Sequence, residues 1–243
     1  MRTARRLARA LIIAIVLIAL ICWYLVWTHD HPADSPFTEL DLTRPIGLFT
    51  GRKIAALGDD TPKCETLLFR AGVRYRALPA AGTGQCAYDD AVRLTKGGAL
   101  TAGFRPERVD VSCPVAAGLA VWEQQIVQPA AEHLLGARVT GIDHFGSYSC
   151  RRMYGRSTGD WSEHARANAI DVAGFRLSDG RRITVARDWN GGTLKQQQFL
   201  RAVRDGACKL FATVLSPDYN AAHHDHLHLD QAMRGEFGWR ACR

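Results

Sequence analysis

Residues Ala10 to Trp27 read ALIIAIVLIALICWYLVW, eighteen positions without a charge, and this run divides the chain into parts with different physical fates. As a helix rising about 1.5 Å per residue it spans about 27 Å, enough to cross the hydrocarbon core of a bilayer. Residues 1–9 before it carry Arg2, Arg5, Arg6 and Arg9, and the stretch after it brings His29, Asp30, His31 and Asp34. Arginine-rich flanks stay on the cytoplasmic side. The expectation is therefore a cytoplasmic basic N-terminus, a single transmembrane anchor over 10–27, and an exported remainder. Trp23, Tyr24 and Trp27 cluster at the outer end, where amphipathic rings prefer the headgroup zone. A cleaved signal peptide is the rival. It would have a shorter apolar core and a small-residue cleavage site, whereas Cys22-Trp23-Tyr24 and Trp27-Thr28-His29 stand here. An uncleaved anchor is expected.

Charge and cysteines divide along the same line. The net charge is +7, and the four N-terminal arginines account for more than half of it. No basic run or aromatic-interleaved basic patch follows residue 30, so nucleic acid is not expected as a partner. Of seven cysteines, Cys22 lies in the anchor, while Cys64, Cys86, Cys113, Cys150, Cys208 and Cys242 are exported. An even set in an oxidising compartment reads as disulfides, with the pairing open. There is no C-x-x-C pair to suggest a zinc knuckle or a thioredoxin-type motif.

Residues 28–45 contain Pro32, Pro36 and Pro45 without sustained periodicity and read as a short spacer. Residues 46–243 are enough for a single domain. Helices are expected over 52–71, ending near Ala71-Gly72, over 115–135, and over 194–211 with Thr193 as N-cap. Pro129 should kink or divide the second of these, and Gly136 should stop it. Strands are expected at VRYRALP, at RVTGIDHF, and at NAIDVAGFRL, the last forming a hairpin with RRITVA through Ser178-Asp179-Gly180. Strands flanked by helices without regular alternation argue for an α+β domain with a mainly antiparallel sheet.

Near the end of the chain, AAHHDHLHLD holds four of the nine histidines. On a strand, His226 and His228 share one face while Leu227 and Leu229 point to the core. Alone, that pattern fits a polar strand face as well as a metal site. A second cluster weighs on the choice. His164 precedes Asp171 by seven positions, and Asp171 lies between Ile170 and Val172, where a carboxylate is costly unless paired or metal-bound. An ion pair with Arg166 is the plainer reading of Asp171. Together, His164, Asp171 and His228 offer two imidazole nitrogens and a carboxylate oxygen, leaving a fourth position open, as in a catalytic zinc site. His226 would then stand beside the ion as acid–base or oxyanion stabiliser.

These residues carry a family resemblance. The His164-x6-Asp171 and His226-x-His228 signature resembles that of zinc peptidases of the group joining lysostaphin-like, D-Ala-D-Ala-cleaving and hedgehog-type domains. Ser162-Glu163-His164 and Ala169-Ile170-Asp171-Val172 are similar to the D-alanyl-D-alanine carboxypeptidase branch, and His223-x-x-His226-x-His228 to penicillin-insensitive murein endopeptidases. Over residues 36–243 the chain resembles bacterial proteins with an extensin-like C-terminal domain. The resemblance implies Zn2+ on His164, Asp171 and His228, with His226 and His223 as catalytic-side histidines. Gly146-Ser147-Tyr148-Ser149-Cys150-Arg151 resembles a segment that holds substrate, which implies Ser149 and Arg151 for that role; a surface arginine without a role is the rival. The carboxypeptidase branch has a base glutamate in Glu-x-x-His before its last ligand, and this chain has none. The implied activity is hydrolysis of D-Ala-containing amides in peptidoglycan or its stem peptides, in the periplasm, from an inner-membrane anchor. A non-catalytic, metal-stabilised wall-binding or structural module is the alternative.

Overall fold

The computed structural model describes residues 2–233 and 240–243. Helix α1 (Arg2–Asp30) contains the apolar run. Its span Thr3–Asp30 is long and apolar enough to cross a membrane, and its most apolar window is wholly exposed. The segment expected to be a short spacer packs against the domain. Leu40 and Leu42 are buried, Asp34 Oδ1 accepts the Leu48 N–H at 2.6 Å, and the Gln125 side chain bonds Ile46 N and Arg44 O. Those two leucines, alternating with acids, give the segment one apolar edge to bury.

The expected helix over 52–71 is two helices, α2 (Thr50–Ala55) and α3 (Thr61–Arg70). Asp60 caps the second through Lys63 N at 3.1 Å, and Pro62 occupies its first turn, where a missing N–H costs nothing. Gly72 follows with φ 72°, a left-handed stop that glycine adopts without strain. The chain then forms β1 (Val73–Ala77), β2 (Ala91–Gly98), β3 (Gly103–Arg105) and β4 (Asp110–Ser112). The helix expected over 115–135 begins two residues earlier and is divided as Pro129 predicts. Here α4 (Cys113–Trp122) passes through a π-turn at Glu123–Val127 into α5 (Gln128–Leu135), and Gly136 ends it at φ 67°. After β5 (Val139–His144) and β6 (Ala169–Leu177), β7 (Arg182–Thr184) closes the expected hairpin. Next come α6 (Val185–Asp188) and α7 (Leu194–Ala207), which ends earlier than expected at the Cys208 C-cap but opens on a Thr193–Gln196 capping box. Strands β8 (Thr213–Leu215), β9 (Leu227–Asp230) and β10 (Ala241–Cys242) finish the chain.

Seven strands form the main sheet in the order β10-β8-β9-β6-β5-β3, with β7 beside β6; a smaller antiparallel sheet joins β1, β2 and β4. Only β3–β5 and β10–β8 run parallel among the pairs described, so the fold is mixed α and β with a mainly antiparallel sheet. Trp122 of α4, Phe175 of β6 and Phe199 of α7 join helices to sheet, with ring centroids 5.9 and 5.0 Å apart along that series. Trp122 also donates from Nε1 to Val203 O at 2.8 Å, so its one polar atom is satisfied inside the core. The six cysteines that follow α1 all pair, as Cys64–Cys113, Cys86–Cys150 and Cys208–Cys242.

One half-buried acid works against the fold at neutral pH. Asp90 immediately precedes β2, and burial of its carboxyl, reinforced by neighbouring Asp89, pushes its pKa up to about 6. A raised folded-state pKa favours folding when the group is protonated. That contribution is complete below about pH 4 and is lost as pH rises through 6. Asp90→Asn should therefore raise stability at pH 7 by about 1–2 kcal/mol, allowing for partial exposure. It should change little below about pH 4. Thermal unfolding at the two pH values reads the difference.

Candidate metal centre

Strands β6 and β9 are antiparallel neighbours in which Asp171 and His228 are directly opposite. Ile170, Val172, Leu227 and Leu229 are all fully buried against the helices. Alternation therefore sends Asp171 and His228 to the other face as a cross-strand pair. His164 comes from the short Glu163–Arg166 turn, which Ser162 caps and which Ala167 ends at φ 56° before the chain enters β6. That left-handed residue reverses the backbone, so a histidine seven positions upstream folds back onto the strand it precedes.

The three groups converge. His164 Nε2 is 3.2 Å from Asp171 Oδ1 and 3.1 Å from His228 Nδ1, and His228 Nδ1 is 2.9 Å from Asp171 Oδ1. Zinc bonds of about 2.0–2.1 Å in a tetrahedron put ligand atoms about 3.3 Å apart, so a small ion fits with shifts of a few tenths of an ångström. The ring nitrogens turned away from the centre are also held. His164 Nδ1 bonds the Ser147 carbonyl at 2.9 Å, and His228 Nε2 bonds Asp230 Oδ2 at 3.0 Å. Each outer bond fixes a tautomer that presents a lone pair inward, as outer partners of metal-bound histidines do.

The electrostatics agree. Burial alone would raise the pKa of Asp171, but its bonds to His164 and His228 outweigh this and hold it well below the usual carboxylate range. Burial alone would lower the pKa of His228, but Asp171 and Asp230 outweigh it and push the ring up to about 9. Two carboxylates thus stabilise positive charge at this point, which a divalent ion would supply by displacing a proton. Arg166, the plainer partner for Asp171, pairs instead with Glu163 at 3.5 Å. Glu163 Oε2 also accepts from Asn168 at 2.7 Å, so both oxygens of this cavity-lining carboxylate already have partners. Because Asp230 orients His228, which would be a ligand of the ion, Asp230→Asn should weaken zinc binding by about 10–100-fold while the fold persists. Titration against a chromophoric chelator measures this.

The centre forms one wall of a cavity of about 510 Å³. Arg151, Tyr154, Trp161, Tyr219, His223 and His226 are among its lining residues. His226 lies just before β9 rather than on it, with Nε2 3.4 Å from Asp171 Oδ1 and Nδ1 2.8 Å from Asp225 Oδ1. The His223 ring packs 5.2 Å from that of His226 and 5.9 Å from that of His228. Its burial, together with those two rings, pushes its pKa down to about 4. Ser149 is exposed and does not line the cavity; its backbone N–H supports His164 by donating to the His164 carbonyl at 2.9 Å. His224 is exposed. Of the supporting groups that sequence reasoning did not single out, Asp230 was legible as the next same-face residue after His228. Ser147 acts through its backbone carbonyl, which no residue pattern reveals.

Fold and site together define an α+β domain with a centre of two histidines and one carboxylate at the side of an open cleft. Residues 62–243 match the family described as Extensin-like protein C-terminus, and the chain belongs to that family. No curated protein and no solved structure matches it.

Proposed function

We propose that this protein is a zinc-dependent peptidase hydrolysing D-Ala-containing amide bonds of peptidoglycan. The observation that carries the reading is the approach of His164 Nε2, Asp171 Oδ1 and His228 Nδ1 to within 3.2 Å of one another beside an open cavity. When bound, a divalent ion there supplies Lewis acidity, polarising a carbonyl and lowering the pKa of water to about 7. The cavity admits a peptide segment. His226 Nε2 donates to the oxyanion that develops on the attacked carbonyl, and Asp225 holds the ring in that attitude. Arg151, a residue lining the cavity, takes a substrate carbonyl or terminal carboxylate. In this reading α1 anchors the protein in a bacterial inner membrane, with the basic N-terminus in the cytoplasm and the disulfide-bonded domain facing the wall.

One observation favours a second reading. His226 Nε2 stands 3.4 Å from Asp171 Oδ1, close to the edge length of a zinc tetrahedron. If His226 were a fourth ligand, the site would be closed and would stabilise a wall-binding module without catalysis.

The test is mass spectrometry of muropeptides after incubating purified sacculi with the zinc-loaded, full-length protein in detergent. Loss of cross-linked dimers or shortening of stem peptides, abolished by a chelator and restored by zinc, is the expected result. Unchanged sacculi with a fully loaded protein would overturn the enzyme reading in favour of the binding module.

A further inference from the structure

The His223 ring is held by a group outside the histidine cluster. Asn220 caps the Ala221–His223 turn, its side chain accepting the Ala222 N–H at 3.0 Å. A backbone N–H can only donate, so the amide atom facing it is Oδ1. The other amide atom agrees, since Nδ2 donates to the Tyr154 hydroxyl at 3.3 Å. The same Oδ1 lies 2.8 Å from His223 Nδ1. That oxygen has no proton to give, so Nδ1 must carry the hydrogen of the bond, and in a neutral imidazole Nε2 is then the acceptor. His223 Nε2 has no hydrogen-bond partner among the described residues, and its ring lines the cavity. His226 differs, because a carboxylate rather than an amide stands behind its Nδ1.

We propose that Asn220 is a positioning residue that holds His223 in the Nδ1–H form and so makes the Nε2 lone pair the proton acceptor of the cleft. The chemistry of this step rests on the peptidase reading; the tautomer does not. As the water oxygen bonds to the carbonyl carbon, a water proton moves to Nε2, and the imidazolium returns it to the amine nitrogen as the C–N bond breaks. His223 thereby does the work of the glutamate that the Glu-x-x-His pattern would have supplied.

Nitrogen-15 NMR of histidine-labelled, zinc-loaded, full-length protein in detergent reads the tautomer directly, with His223 assigned by its loss in His223→Gln. The wild type should show a protonated Nδ1 and an unprotonated Nε2. Asn220→Leu should mix the two forms, keep zinc, and lower kcat on muropeptides about tenfold or more with little change in KM. Asn220→Asp retains both acceptor bonds and should restore the Nδ1–H signal. If Asn220→Leu fails to fold, the wild-type and Asn220→Asp spectra decide alone. An Nε2–H form in the wild type, or an unchanged tautomer in a folded Asn220→Leu, overturns the proposal. The expected tautomers in a wild type that leaves muropeptides intact would sink the peptidase reading and leave the assignment of Asn220 standing.

Discussion

His228→Ala should leave the purified full-length protein without stoichiometric zinc, its affinity falling by more than the about 10–100-fold that losing an outer partner costs. The substitution removes Nδ1 from the centre, where it stands within 3.1 Å of both other ligand atoms. It also strands Asp230, which is 4% exposed and uses Oδ2 to orient this ring. A buried carboxylate without its partner costs about 1–3 kcal/mol or more, so some loss of stability is expected as well. Asp171→Asn separates the two effects. It keeps the shape of the side chain and leaves the His228–Asp230 pair in place, yet removes the charge on which His164, His226 and His228 converge. Both variants should fail to hold zinc in elemental analysis, and Asp171→Asn should do so with the smaller change in unfolding temperature. Stoichiometric zinc in both would place the ion elsewhere.

The faces of β6 and β9 were legible because alternation is strict: Ile170 and Val172 on one strand, and Leu227 and Leu229 on the other, leave Asp171 and His228 no face but the cleft. Strand register was not legible. That Asp171 lies opposite His228, rather than one residue away, depends on pairings made across some sixty positions. His226 shows a limit of the same rule. Alternation placed it beside His228 on a strand, but β9 begins at Leu227, and the preceding residues turn through a 3-10 segment capped by Asn220. The helix over 115–135 was readable because Pro129 and Gly136 act locally, whereas the break over 52–71 was missed although Asp60 and Pro62 together form an N-terminus signal. Cysteine pairing and the docking of residues 28–45 depend on tertiary contacts that no local pattern encodes.

His226→Ala should separate metal binding from turnover. In the open-site reading, His164, Asp171 and His228 suffice for the ion, and the variant keeps its zinc. Turnover of muropeptides should nevertheless fall by about 10²–10⁴-fold, the range associated with losing a positioned acid–base or oxyanion-stabilising group. The effect should appear in kcat, because His226 Nε2 acts on charge that develops only as the amide is attacked. Asp225 is part of the same unit: its Oδ1 accepts from His226 Nδ1 at 2.8 Å, so Asp225→Asn should give a smaller loss in the same direction. The closed-site reading makes the opposite forecast. A fourth protein ligand removed from a tetrahedral ion should lower zinc affinity, with no turnover in the wild type to lose. Zinc affinity and muropeptide turnover measured on the same preparation of His226→Ala therefore decide between the two uses of the cleft.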